Sequence, residues 1–175
     1  MNEIQLFLTD TEWPQTHIDH TRDVVRAIVF DDTGNLYFMQ VDRDDDFGRA
    51  VLIETSGGGV EPGEDLLAAI HRELREELGV RVAILGKLGV VEDDYNLIHR
   101  HNINHYYLCR ILAFAEKNLT REEVEIFHLS TQTMTYEQAV QAYEDCRSTP
   151  LGRLIAQREL PILHHAKTII DTLST

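Results

Sequence analysis

Three glutamates, Glu73, Glu76 and Glu77, follow a run of three glycines, Gly57-Gly58-Gly59, within twenty residues. Between them lies Glu64 to Leu78, where Leu67, Ile70, Leu74 and Leu78 recur at the three- and four-residue steps of one buried helical stripe. At helical geometry the three carboxylates fall within about 100° of one another, beside that stripe rather than opposite it. Like charges crowded beside an apolar face cost stability unless a cation sits among them. Oxygen donors alone point to a hard divalent ion, magnesium or manganese, which reaches its substrates through phosphates. The glycines let a phosphate approach the backbone, and the helix that follows turns its positive dipole end to the same place. The competing reading is an ordinary solvated helix in which Arg72 and Arg75 pair with the glutamates. Glycine loop, amphipathic register and carboxylates together favour a site for metal and phosphate.

The bulk composition narrows the function classes. A chain of 175 residues, 43% hydrophobic, suffices for one cored domain, expected over residues 1–175. Thirty acidic residues against sixteen basic ones give a formal charge of −14, which opposes binding to a nucleic acid duplex or an anionic membrane. No segment approaches the roughly 20 apolar residues that span a bilayer, so the expected location is the cytoplasm. Cys109 and Cys146 form neither a disulfide framework nor a metal-ligand pair and read as reduced structural thiols.

The elements that must position the site follow from pattern. Ile4 to Leu8 predicts a strand, Asp10 to Asp19 an irregular connection, and Val24 to Phe30 a strand buried on both faces. Turn chemistry at Asp31 to Asn35 joins it to a partner over Leu36 to Val41. Asp42 to Arg49 reads as a solvated charged loop, and Val51 to Glu54 as the strand that delivers the glycines. Gly79 ends the site helix. Val80 to Val91 predicts a strand broken near Gly86 and Gly89, and Asn102 to Phe114 another. Ile126 to Met134 is extended, Tyr136 to Cys146 is a helix capped by Thr135, and helices continue from about residue 150. Pro161 is expected to divide that last stretch, leaving Ile162 to Leu173 as a separate helix. Strands, helix, strands and helices in that order make a mixed central sheet with helices on both faces.

Gly58, Glu64 and the run Arg72-Glu73-Leu74-x-Glu76-Glu77-x-Gly79-Val80 match every fixed position of the Nudix box, with the spacings of five and seven residues between its first elements, across 23 residues. The chain thus resembles a Nudix hydrolase. The resemblance implies an α/β/α sandwich whose box helix, after a glycine-rich loop, holds Mg2+ (or Mn2+). It implies cleavage of a nucleoside diphosphate linked to another moiety, a small-molecule substrate. Glu76 and Glu77 resemble the principal metal ligands, and Glu73 a further ligand or the base that polarises water. Arg72 resembles the residue that orients a box carboxylate, Glu64 a support near the loop, and Gly58 a position offering its carbonyl to metal. Where many relatives have a proline ahead of the glycines, this chain reads Glu54-Thr55-Ser56-Gly57. The additional carboxylate that relatives often place outside the box has candidates in Glu122, Glu123 and Glu125, then in Glu92, Asp93 and Asp94.

Among other residues, Arg26 is the lone charge in a buried-looking strand and either reaches substrate phosphate or closes a salt bridge at the sheet edge. His99, His101 and His105 share one face of an extended chain, either lining a substrate pocket or standing in solvent. Tyr106 and Tyr107 point to opposite faces, one of them towards the core and the other a candidate to stack on a base. A non-catalytic nucleotide sensor of the same fold is the alternative to an enzyme, and the intact carboxylate set argues against it. An isomerase on the same fold would need a proton-transfer pair that no matching cysteine and acid supply. Monomer and homodimer both remain compatible with the sequence.

Overall fold

A computed structural model of the chain describes residues 2–173. Eight strands form one mixed sheet: β1 (Ile4–Leu8), β2 (His20–Phe30), β3 (Leu36–Asp45), β4 (Gly48–Glu54), β5 (Ser56–Gly59), β6 (Val80–Tyr95), β7 (Arg100–Phe114) and β8 (Ser130–Met134). The main path runs β1-β6-β7-β2-β3-β4, with β5 paired to β2 and β8 to β3. The pairs β1/β6 and β2/β7 are parallel and the others antiparallel. Four helices cover it: α1 (Leu66–Glu77), α2 (Arg121–Glu125), α3 (Tyr136–Cys146) and α4 (Pro150–Leu173).

Alternation along β2 sets the layers. Val25, Ala27 and Val29 pack with Ala69, Ile70 and Leu74 of α1, while Ile28 and Phe30 pack with Tyr143 of α3 and with Leu154, Ile155 and Leu163 of α4. The result is the expected α/β/α sandwich with a mixed central sheet. Each fully buried aliphatic side chain here contributes roughly 1.5–3 kcal/mol of transfer free energy.

The sheet also opens the site. β2 pairs with β3 only at Val29/Tyr37 and Phe30/Leu36, whereas its earlier residues Val24 to Ala27 pair with β5 and β3 continues against β4 and β8. A cleft forms where the two strands part company.

Several expectations are corrected. The buried face of α1 includes Ala69, Ile70, Glu73, Leu74 and Glu77, so it is rotated towards the carboxylates. Leu67 falls on its rim and is 46% exposed, and Leu66 makes the first-turn contact with the core instead. The charged stretch Asp42 to Arg49 is mostly strand: β3 and β4 pair from Met39/Glu54 out to Asp45/Gly48, and Arg43 pairs with Asp45 at the tip. Cross-strand pairing and that ion pair compensate for the charge. β6 is continuous through Asp94, with bulges at Leu85 and Leu88, just before Gly86 and Gly89, in place of breaks. Pro161 lies inside α4, which runs unbroken for 24 residues. Its lost hydrogen bond and ring clash cost about 3 kcal/mol, an amount that burial of Leu160, Ile162 and Leu163 beside it can offset. Among the described residues no helix is long and apolar enough to cross a membrane.

Candidate active site

The glycine run forms β5, laid antiparallel on β2 with Arg26 opposite Gly57 and Val25 opposite Gly58. Gly57 has φ +148°, and a Cβ there would stand 2.0 Å from the Val25 carbonyl oxygen. Only glycine lets β5 lie this close. A Cβ on Gly58 would meet Glu73 Oε1 at 2.5 Å, so the carboxylate of α1 rests directly on the bare backbone of the loop. Asp65 starts that helix by accepting from the amides of Leu67 and Ala68, which fixes the register of the glutamates.

Arg72 gathers this corner. Its Nε and Nη2 donate to the two oxygens of Glu64, both at 2.8 Å, its Nη2 also donates to the Gly59 carbonyl at 3.1 Å, and its Nη1 donates to Glu73 Oε1 at 2.6 Å. Glu76 Oε2 lies 3.5 Å from the same Nη1. The arginine bonds hold the Glu64 carboxyl down at about 2. Glu73 moves the other way: burial raises it, and the charges of Glu76 and Glu123 add to that, outweighing Arg72.

Glu77 is the most perturbed box carboxylate. Ser56 Oγ and the Gly57 amide, at 2.9 Å, both donate to its Oε2. Burial nevertheless pushes its pKa up to about 8, with Glu73 and Glu123 contributing repulsion. Two buried carboxylates that repel each other beside a cleft are short of positive charge.

These donors match a hard divalent cation in chemistry, being carboxylate and carbonyl oxygens only. Among the described residues they are not drawn into a ready three-ligand cluster: Arg72 occupies Glu73, while Ser56 and Gly57 occupy Glu77. The residues fit such an ion in type and burial: Arg72 bonds only Oε1 of Glu73, and Ser56 and Gly57 bond only Oε2 of Glu77, so the other oxygen of each carboxylate would be open to it while these bonds hold the carboxylates in place.

The cleft, about 530 Å³, is lined at this end by Gly57, Gly58 and Glu77, with Glu122 and Glu123 of α2 also on its wall. Glu123 closes a capping box with Thr120, which fixes the short helix. Glu125 pairs with Arg121 in solvent. Glu92 and Asp94 bind His101 at 3.2 and 2.7 Å, and both ring nitrogens are used. His101 is not among the residues that line the cleft. His105 bonds Asp23, and His99 stacks on His17. Arg26 does line the cleft. It stands on an interior strand rather than an edge, with Nε donating to Asn104 Oδ1 at 2.9 Å and Nη1 lying 3.5 Å from Glu54.

The sequence reading missed Ser56, Arg22, Arg43 and Arg100, all of which line the cleft or hold its carboxylates. Arg22 had a signal: it lies four residues before Arg26, hence on the same face of one strand. Arg100 had none, since only the parallel pairing of β2 with β7 brings it opposite His20.

The comparisons with known proteins agree with this geometry. The family model of the NUDIX domain matches residues 20–150, most of the chain, and so the chain belongs to the Nudix family. The family hydrolyses pyrophosphate bonds, in general with a divalent metal. Among solved structures it is similar to a NUDIX hydrolase from Nitrosomonas europaea, with TM-score 0.62 and 15% identity over 84% of this chain and 88% of that one. It is also similar to the E. coli ORF135 protein, with TM-score 0.55 and 23% identity over 85% and 90% of the two chains. A MutT protein from Methanosarcina mazei Go1 has TM-score 0.54 and 18% identity over 69% of this chain and 81% of its own. At these identities the likeness is one of fold. No curated protein sequence matches the chain.

Proposed function

We propose that the chain is a magnesium-dependent hydrolase that cleaves the diphosphate of a nucleoside diphosphate linked to another group. The observation that carries this reading is the pair of buried carboxylates, Glu73 against Gly58 and Glu77 against Gly57, behind the glycines that line the cleft, with no cation but Arg72 hydrogen-bonded to them among the described residues.

Glu73, Glu76 and Glu77 would hold the ion, with the Gly58 carbonyl beside them. When bound, a divalent cation supplies neutralisation of the diphosphate charge and acidification of water. Arg72 positions Glu73 and is itself held by Glu64. Glu123, on α2 at the cleft wall, is the carboxylate outside the box best placed to accept a proton from attacking water. Arg26 faces the same space and neutralises a substrate phosphate oxygen.

The test is a panel of nucleoside triphosphates, dinucleotides, nucleotide sugars and ADP-ribose, incubated with purified protein and Mg2+ or Mn2+, with EDTA as control. The expected result is metal-dependent release of phosphorylated products from some panel members. Tight binding of panel members without turnover in either metal would instead make the chain a nucleotide sensor.

A further inference from the structure

The cleft has a second end whose chemistry the box does not explain. A smaller cavity of about 110 Å³ continues from it, sharing Arg22, Arg26, Arg43 and Arg100 with the main cleft and adding Arg158 of α4. None of the residues from Gly57 to Glu77 lines this part. Five guanidinium groups converge there in a protein whose formal charge is −14.

Three of the five are compensated. Arg43 pairs with Asp45, Arg26 lies 3.5 Å from Glu54, and Arg158 lies 3.2 Å from Asp93 and 2.9 Å from Glu159. Arg22 and Arg100 are not: among the described residues neither has a carboxylate within 4 Å. Arg22 uses its Nε to hold Asn102 Oδ1 at 3.1 Å, and Asn102 passes its own amide to Asp93, so the arginine is positioned by a neutral group. Arg100 Nε is buried without a hydrogen-bond partner. Arg158 is 1% exposed, and its Nη2, although near Glu159, is out of line for a hydrogen bond. Burial first, then repulsion from Arg100, Arg26 and Arg158, brings Arg22 down to about 10. Buried donors left unmade and uncancelled positive charge both cost stability, and an anion removes both costs at once.

We propose that this basic end is a second anion site, in which Arg22, Arg100 and Arg158 hold a phosphate monoester carried by the substrate in addition to the diphosphate that is cleaved. Two uncompensated arginines match the charge of a phosphate monoester, about −1.5 to −2 near neutral pH. Their planar forks suit its oxygens. The carboxylate end of the cleft then takes the diphosphate and the arginine end reads the extra phosphate. The substrate class narrows from any nucleoside diphosphate derivative to one bearing a further phosphate. This inference rests on the hydrolase reading for its substrate but not for the anion site itself.

Two measurements separate the claims. The first titrates inorganic phosphate into metal-free protein in EDTA, followed by calorimetry. Wild type binds, and R22Q and R100Q each weaken binding by about tenfold or more, as loss of a charge-assisted hydrogen bond does. Arg158 is left intact because its removal strands Asp93 and Glu159, and melting curves establish that R22Q and R100Q fold. The second compares hydrolysis of matched pairs with Mg2+: NADPH against NADH, and coenzyme A against dephospho-coenzyme A. The phosphorylated member of at least one pair is preferred about tenfold or more in kcat/KM, and the variants bring that ratio towards one, mainly through KM. If the variants slow both members by the same factor and metal-free wild type binds no phosphate, the arginines serve the scissile diphosphate and the second site does not exist. If nothing is hydrolysed yet arginine-dependent phosphate binding persists, the anion site stands and the hydrolase reading falls.

Discussion

Arg72 and Glu73, adjacent in sequence on α1, are joined by a 2.6 Å bond from Nη1 to Oε1, while the other nitrogens of the same guanidinium grip both oxygens of Glu64. One side chain thus fixes a carboxylate of the box, packed on the Gly58 that lines the cleft, relative to the loop that precedes the helix. R72A should lower kcat by about 10–100-fold, the usual cost of losing a group that orients a metal ligand. R72K should recover little, because a point charge cannot span Glu64 and Glu73 together. Steady-state kinetics at saturating metal, with circular dichroism to follow folding, make the comparison, and a fully active R72K would contradict it.

Neighbouring glycines should fail in different ways. Gly57→Ala forces a Cβ to 2.0 Å from the Val25 carbonyl at φ +148°, against backbone that cannot yield. It should destabilise the fold by roughly 2–4 kcal/mol in urea titration. Gly58→Ala meets only the end of Glu73. It should leave the melting temperature nearly intact and lower activity by moving that carboxylate. Equal stability losses in the two variants would count against this reading of the loop.

His101 gives the fold a pH dependence of definite sign. Burial lowers its pKa, but the bonds to Asp94 and Glu92 outweigh burial and hold it above the ordinary histidine value. A raised folded pKa contributes stability that is present in full below the unfolded value, about 6.5, and is lost as pH rises through the folded value. The stability difference between wild type and H101Q, measured by urea denaturation, should be largest near pH 6 and shrink towards pH 9. A difference that grows with pH would refute the assignment.

Glu159 ties the last helix to the sheet. It is 0% exposed and accepts from Thr55 Oγ, from the Tyr106 hydroxyl at 2.9 Å and from Arg158 Nε at 3.0 Å. E159A should cost about 3–5 kcal/mol, since it leaves Arg158 and two hydroxyls short of an acceptor in the interior. Chemical denaturation measures it, and a loss below about 1 kcal/mol would mean that Asp93 alone satisfies the arginine.

Local chemistry in the chain foretold the box. Ile70, Leu74 and Gly79 mark the helix phase and its end within ten residues, and the glycines announce the close approach to β2. What escaped were properties set by distant partners. Leu67 has the periodicity of a core residue, yet the burial of Glu73 and Glu77 rotates the helix and leaves it on the rim. Pro161 obeys a local rule for ending helices that tertiary burial on both sides overrides. Arg22 with Asn102, and Arg158 with Asp93, meet across 80 and 65 residues of chain, so only the sheet topology brings them together. The carboxylate end of the cleft is a local motif and was legible. The arginine end is a product of strand order and was not.

The central claim is that the box glutamates carry metal-dependent cleavage of a diphosphate. It is tested most directly by single-turnover hydrolysis of a substrate found in the nucleotide panel, comparing wild type with E76Q/E77Q at saturating Mg2+. The account predicts that the double variant folds, binds the nucleotide, and loses at least about 10²-fold in rate. Turnover at the wild-type rate by the double variant would contradict it.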